Sequence, residues 1–108
     1  MTENNPENQN QYSDLALEDS KTELKPPSLY KVILINDDYT PMEFVVEVLM
    51  SVFSLDKNTS TRVMLDVHTK GKGVCGIYPY EIAETKVTQV TKMSKEYQHP
   101  LLCSIEED

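Results

Sequence analysis

Apolar residues along this chain fall into two kinds of pattern, short runs and helical stripes. The runs 30–35, 73–78 and 100–105 are short and apolar, and each predicts a strand. Between them, apolar residues recur at helical spacing over 41–53, 59–70 and 80–96, which predicts three helices. The order β-α-α-β-α-β predicts an α+β fold, with a three-stranded antiparallel sheet packed against three helices. The apolar stripe of the third helix runs through Ala83, Val87, Val90, Ser94 and Tyr97.

Residues at the ends of these segments predict where the helices and the last strand begin and end. Thr40 is placed to cap the first helix, with Pro41 at its first position and Glu43 completing a Thr-x-x-Glu capping box. The segment 56–59 offers caps for the second helix, and Gly71 suits the left-handed conformation that ends it. The acidic run 106–108 is expected to stop pairing beyond the third strand.

The first 25 residues differ in composition from the rest of the chain. They are rich in Asn, Gln, Glu and Ser, and they hold six acidic residues against two lysines, half of the net charge of -8. Such a segment buries too little apolar surface to offset the entropy of ordering, which predicts a disordered acidic tail over 1–25. Pro26-Pro27 marks the boundary, and 26–108 is predicted to form one core domain.

Composition narrows the classes of function. A net charge of -8 argues against a nucleic-acid surface, which needs basic residues to neutralise phosphates. No apolar run approaches the roughly 20 residues that span a bilayer, so no membrane association is expected. Cys75 and Cys103 lie in apolar strand runs and are expected to be free thiols. With no signal peptide recognised, we expect a soluble, cytoplasmic protein.

The turn Asn36-Asp37-Asp38 concentrates acceptors between the first strand and the first helix. The segment carries no basic side chain of its own, so these acceptors are expected to receive a donor from outside, such as the ammonium group of a ligand. Asn and Asp are also common turn formers, and the residues alone leave a purely local role open.

His68 shares a helix face with Met64 and Val67, because the three fall at i+4, i and i+3. A histidine on such a face is often structural, so spacing alone leaves its role open. Metal binding by Asp37, Asp38, His68 and His99 lacks the spacing of known metal motifs. No hydrolase or phosphate-binding motif is present either, so we expect no enzyme activity, metal or cofactor.

Several motifs together resemble ClpS, the family of bacterial N-end-rule adaptor proteins. The resemblance covers 25 to about 105 and rests on the motifs at 25–27, 30–34, 36–45, 64, 68, 71–73, 75–76, 83–86 and 99–103. It implies a protein without catalytic activity that delivers substrates with N-terminal Leu, Phe, Tyr or Trp to the AAA+ unfoldase ClpA, for degradation by ClpAP. A flexible tail, in that family, serves to hand the substrate over.

The resemblance also implies roles for individual residues. Asn36, Asp37 and His68 match the positions that bind the α-amino group of the substrate. Glu81 and Lys86 match positions that contact the N-terminal domain of ClpA, on the outer side of the third helix. The positions that surround the first side chain match Asp38, Thr40, Met42, Val45, Met64, Val67 and Leu101.

Two other classes of function stay open at this point. The chain is a structural interaction module if the acidic turn is only a helix cap and another surface docks a partner. It is a metal-dependent enzyme if the acidic and histidine side chains hold a divalent ion.

Overall fold

The computed structural model describes residues 25–108, so almost all of the predicted tail lies outside the described residues. The elements, in chain order, are β1 (Leu29–Ile35), α1 (Met42–Val52), α2 (Lys57–Lys70), β2 (Lys72–Pro79), α3 (Tyr80–Glu96) and β3 (Leu102–Glu107). Both neighbours of β1 pair with it antiparallel, and the strand order is β2-β1-β3. The predicted α+β fold, its element order and its antiparallel sheet are confirmed.

Strand β1 is the central strand of the sheet, since it lies between the other two strands. Its residues Val32, Ile33 and Leu34 are all buried, so both faces of the sheet are covered at its middle. Val32 and Leu34 belong to the core beneath the helices. Ile33 points to the other face, as side chains alternate along a strand.

That other face is crossed by an ion pair. Lys72 Nζ lies 3.3 Å from Glu106 Oε2. In the register, Lys72 is opposite Ile35 and Glu106 is opposite Lys31, so Ile33 lies midway along the diagonal that joins them. Ile33 itself is only 2% exposed.

Helix α1 buries most of its apolar side chains. This burial follows the predicted helical spacing, with Val48 and Leu49 fully buried in the hydrophobic core. On α3, Ala83 and Val90 are likewise fully buried. The end of the predicted stripe is wrong, because Tyr97 lies beyond the last residue of α3 and is 61% exposed.

The capping box predicted for α1 is wrong. The helix begins at Met42, and Pro41 is its N-cap, with no side-chain cap bond. The Thr40 hydroxyl instead donates to Asp37 Oδ2 at 2.7 Å, so the turn uses it. Helix α2 begins two residues before the predicted start, at Lys57, while its predicted caps are confirmed: Asp56 Oδ1 accepts from the Thr59 N–H at 2.7 Å, and Gly71 closes the helix at φ 92°.

The third strand begins later and runs further than predicted. Its pairing continues through Glu106 and Glu107, which lie opposite Lys31 and Tyr30. The acidic end does not stop the pairing, because lysines on the other two strands offset the repulsion among its carboxylates. Lys72 pairs with Glu106, and Lys31 Nζ lies 3.9 Å from Asp108 Oδ1.

Both cysteines are free, as predicted. Burial raises the pKa of the Cys75 thiol, and the nearby Cys103 adds to that effect. Burial also raises the pKa of Cys103, to about 12. Between residues 25 and 108, none of the helices has the length and hydropathy to cross a lipid bilayer.

Candidate functional site

A cleft of about 360 Å³ opens where β1 ends, between the turn 36–41 and the facing parts of α1 and α2. One end of it is polar and the other is apolar. Its lining consists of Asn36, Asp37, Asp38, Tyr39, Thr40, Pro41, Met42, Val45, Met64, Val67 and His68.

The turn is held to α2 through its backbone. The Asn36 N–H donates to the Gly71 carbonyl at 2.9 Å, and the Gly71 N–H donates to the Val67 carbonyl at 3.1 Å. Since His68 follows Val67 in the last turn of α2, these bonds bring the acceptors of the turn to the same end of the cleft as the histidine.

Asp37 organises the turn from within. Its Oδ1 accepts from the backbone N–H groups of Tyr39 at 2.8 Å and Thr40 at 2.7 Å, and its Oδ2 accepts from the Thr40 hydroxyl at 2.7 Å. The turn was predicted to keep its acceptors free for a donor from outside. For Asp37 this prediction is wrong at three of its acceptor positions, which the turn itself uses. An ionised carboxylate has about four acceptor positions, so one on Oδ2 is left for an external donor.

These hydrogen bonds also keep Asp37 ionised. Burial pushes its pKa upward, but the bonds from the Thr40 hydroxyl and from the two backbone N–H groups outweigh that effect. The charge of His99 acts in the same direction, and the pKa of Asp37 lies below its ordinary value. No Lys or Arg lines the cleft, so its polar end attracts a cation.

The apolar wall comes from α1 and α2. Val45 and Val67 are buried at its base, with exposed fractions of 5% and 3%. Met64 is half-buried, and Met42 is 44% exposed at the mouth. Unbranched thioethers adapt to side chains of different shape, which suits a wall that receives aliphatic and aromatic groups.

Gly73 sets the position of this wall. A Cβ atom at Gly73 would lie 2.9 Å from Cγ2 of Val67, closer than such atoms approach in proteins. The glycine therefore lets α2 pack directly on β2, with Val67 turned toward the cleft.

Nine of the ten residues predicted for the α-amino and side-chain sites line the cleft. The exception is Leu101, which is 6% exposed and belongs to the hydrophobic core. Tyr39 and Pro41 also line the cleft, although neither was nominated as a site residue. Their place inside the 36–42 motif was the signal that could have indicated them.

His99, which the sequence suggested only as a possible metal ligand, lies near the turn. Its ring packs on Phe44, with 4.5 Å between centroids, and its charge reaches Asp37. No local pattern indicates this proximity, since it arises from the chain reversal between α3 and β3.

Glu81 and Lys86, for which the family resemblance implies contacts with ClpA, lie away from the cleft, on α3. Glu81 is exposed in its first turn. Lys86 is only half-exposed, and its Nζ donates to the Val52 carbonyl at 2.9 Å while lying 5.8 Å from the centre of the Tyr78 ring. The predicted location of Lys86 on the outer side of the helix is therefore wrong in part, because its ammonium group reaches inward to the end of α1.

No cluster of three or more His, Cys, Asp or Glu side chains suited to a metal ion occurs within residues 25–108. What the cleft offers is a set of oxygen acceptors and an imidazole at one end, joined to an apolar pocket. That combination can bind a small cation attached to an apolar side chain.

Comparison with known proteins gives a consistent result. The family model for the ATP-dependent Clp protease adaptor protein ClpS matches residues 25–104. An ATP-dependent Clp protease adapter protein ClpS from Shewanella pealeana is 60% identical over 90 residues, covering 83% of this chain and 88% of that protein. Its counterpart from Nitrosomonas eutropha is 54% identical over 99 residues, covering 92% and 96%.

A solved structure agrees with these relatives. The structure of Agrobacterium tumefaciens ClpS2 bound to L-phenylalaninamide superimposes with a TM-score of 0.74 at 44% identity, covering 77% of this chain and 100% of that one. The chain belongs to the ClpS family of adaptor proteins of the ATP-dependent Clp protease.

Proposed function

We propose that this protein is a cytoplasmic adaptor without catalytic activity that binds substrates through an N-terminal Leu, Phe, Tyr or Trp and delivers them to the unfoldase ClpA for degradation by ClpAP. The observation that carries the proposal is the cleft itself, in which acceptors for a cation and an apolar pocket lie side by side. A protein's first residue presents that pair of groups, an ammonium and a side chain.

In this proposal, Asn36, Asp37 and His68 bind the α-amino group. The remaining acceptor position on Asp37 Oδ2 receives one N–H of the ammonium, and a hydrogen bond to a charged group contributes about 1.5–3 kcal/mol. An acetylated or internal residue has no charged group to offer. It leaves these acceptors unpaired, at about 1–3 kcal/mol for each buried one.

The apolar wall selects the first side chain. Burial of a Leu or Phe side chain contributes about 1.5–3 kcal/mol, whereas a serine gains little. The volume of about 360 Å³ lies near the lower end of the roughly 300–1,000 Å³ typical of ligand pockets, which suits one residue and not a folded segment. In this role we place Asp38, Thr40, Met42, Val45, Met64 and Val67. Leu101 acts from behind the wall, since it does not line the cleft.

The related ClpS2 supports this assignment through its ligand. L-phenylalaninamide has a free amino group, an aromatic side chain and a carboxyl group blocked as an amide. These are the features of the first residue of a polypeptide.

A titration with three labelled peptides tests substrate binding. The peptides differ only at the start, with Leu, acetyl-Leu or Ser as the first residue. We expect the Leu peptide to bind at least tenfold more tightly than either of the others, from the contributions above. Equal affinity for all three would exclude N-terminal recognition.

Delivery is tested separately. A reporter protein with an N-terminal Leu is incubated with ClpA, ClpP and ATP, with and without the adaptor. We expect degradation to accelerate only when the adaptor is present, and Glu81→Lys to weaken this effect while leaving peptide affinity intact. Peptide binding without any effect on degradation would separate the two halves of the proposal.

A second candidate function has its own supporting observation. The three internal hydrogen bonds of Asp37 are what a structural turn needs, and they are consistent with a module that docks partners through another surface. That candidate expects the three peptides to bind equally or not at all.

A further inference from the structure

A second, shallower depression lies on the outer side of the two helices that form the cleft. We name it the α1–α2 crease; its volume is about 410 Å³, and its lining consists of Glu43, Val46, Glu47, Met50, Lys57 and Thr61. Met50 is 39% exposed, and Val46 is only partly buried. Neither side chain belongs to the hydrophobic core, so the fold itself does not account for apolar residues at these positions.

The crease and the cleft are formed by the same two helices, and their linings adjoin along the chain. On α1, Met42 lines the cleft and Glu43, the next residue, lines the crease. On α2, Thr61 in the crease precedes Met64 in the cleft by about one helical turn. A chain that leaves the mouth of the cleft beside Met42 therefore has the crease within reach along α1.

The dimensions suit a short peptide. A helix rises about 1.5 Å per residue, so Met42 and Met50 are about 12 Å apart along α1. An extended chain advances about 3.3 Å per residue, so about four residues cover this distance. If the first residue fills the cleft, the side chains of residues three to five pass over Val46 and Met50.

We propose that the α1–α2 crease is a second binding subsite, which takes the residues that follow the N-terminal residue and favours an apolar side chain at one of positions three to five. This inference rests on the proposed function, because it needs the first residue in the cleft. The carboxylates of Glu43 and Glu47 flank the path, and Lys57 lies at its far end. The peptide residues that directly follow the first one are therefore preferred when they are uncharged or basic.

The experiment uses a labelled peptide series and three proteins. The parent peptide starts with Leu-Lys and continues with serines, and three variants carry Leu at the third, fourth or fifth position. A minimal ligand, L-leucinamide, fills the cleft alone. The proteins are the full chain, Met50→Ser, and Leu102→Ser as a control that removes an apolar side chain, 62% exposed, from outside the crease.

We expect one of the three variants to bind the full chain about three- to tenfold more tightly than the parent, which corresponds to partial burial of a Leu side chain. In Met50→Ser this preference should vanish while L-leucinamide binds unchanged. In Leu102→Ser the preference should persist. Thermal unfolding of each variant shows that the fold is retained.

Two results would overturn the inference: no preference at any position, or a preference that survives Met50→Ser. Both leave the proposed function intact as long as the parent peptide and L-leucinamide bind. Failure of the proposed function has a different signature, since the parent peptide would then bind no better than its acetylated form.

Discussion

The carboxylate of Asp37 organises the turn, and under our proposal it also binds the ammonium group of the ligand. Asp37→Asn separates these two roles. The amide keeps an oxygen that can accept from the backbone N–H groups of Tyr39 and Thr40, and its NH₂ group can donate to the Thr40 hydroxyl. The substitution removes the negative charge and the remaining acceptor position on Oδ2.

The two effects have different sizes. We expect the free energy of unfolding to fall by less than about 1 kcal/mol, because the turn keeps its hydrogen-bond partners, and this corresponds to a shift in Tm of no more than roughly 4–8 °C. We expect binding of a peptide with N-terminal Leu to weaken by about 1.5–3 kcal/mol, roughly 10- to 150-fold, because a charge-assisted hydrogen bond is lost.

Fluorescence anisotropy with a labelled Leu peptide measures the affinity, and thermal unfolding measures the stability. Asp66→Asn is the matched control: it removes the same charge from α2, at a position outside the cleft where Asp66 pairs with Lys70 at 3.5 Å. Its affinity for the peptide should stay within about twofold of the unmodified protein, because exposed ion pairs contribute little.

Asp37→Ala supplies the reference for the turn alone. It removes all three internal hydrogen bonds, and loss of a comparable cap costs about 0.5–2 kcal/mol. If both Asp37 variants lower Tm but leave the affinity within twofold, the carboxylate is a turn cap only and the proposed role in amine binding is wrong.

Other substitutions test the surroundings of the cleft. Gly73→Ala should lower stability by about 1–3 kcal/mol and weaken peptide binding, because the added methyl group displaces Val67; unchanged Tm and Kd would contradict this account. Lys86→Met should lower Tm by roughly 4–8 °C, because the C-terminal carbonyl of Val52 loses its donor; an unchanged Tm would show that the bond is dispensable. The depressed pKa of Asp37 stabilises the fold above its ordinary value of 3.8, and this contribution is lost as the pH falls through the folded value. The difference in urea stability between the unmodified protein and Asp37→Asn should therefore shrink between pH 7 and about pH 3, and a constant difference would argue against it.

Much of the fold could be predicted because its elements have strong local signals. Helix α3 has the predicted limits, since Pro79 can precede a helix and apolar residues recur at helical spacing after it. The second helix ends at Gly71, as the left-handed conformation there requires. The predictions that failed concern places where another group decides: lysines on the other two strands permit the extended β3, and Asp37, within the same turn, takes the hydroxyl that would have capped α1.

The residues of the candidate site were indicated by the resemblance more than by spacing. Spacing alone placed Met64, Val67 and His68 on one helix face, but it could not say that this face meets the turn. The Asn36–Gly71 backbone bond makes that connection, and it joins residues far apart in the chain. The place of Leu101 behind the wall could not be predicted for a similar reason, because a single sequence does not distinguish an apolar residue of the core from one that lines a cleft.

By itself, the sequence determined the family, the order of the elements and the grouping of acceptors at the end of the first strand, because motifs and periodicity are local properties of the chain. Only the tertiary structure decided how much of Asp37 is free, that Lys86 reaches the end of α1, and that a second depression lies on the outer side of α1 and α2. These features depend on distances between elements, and such distances are set when α2 packs on β2 and α1 packs on the other two helices.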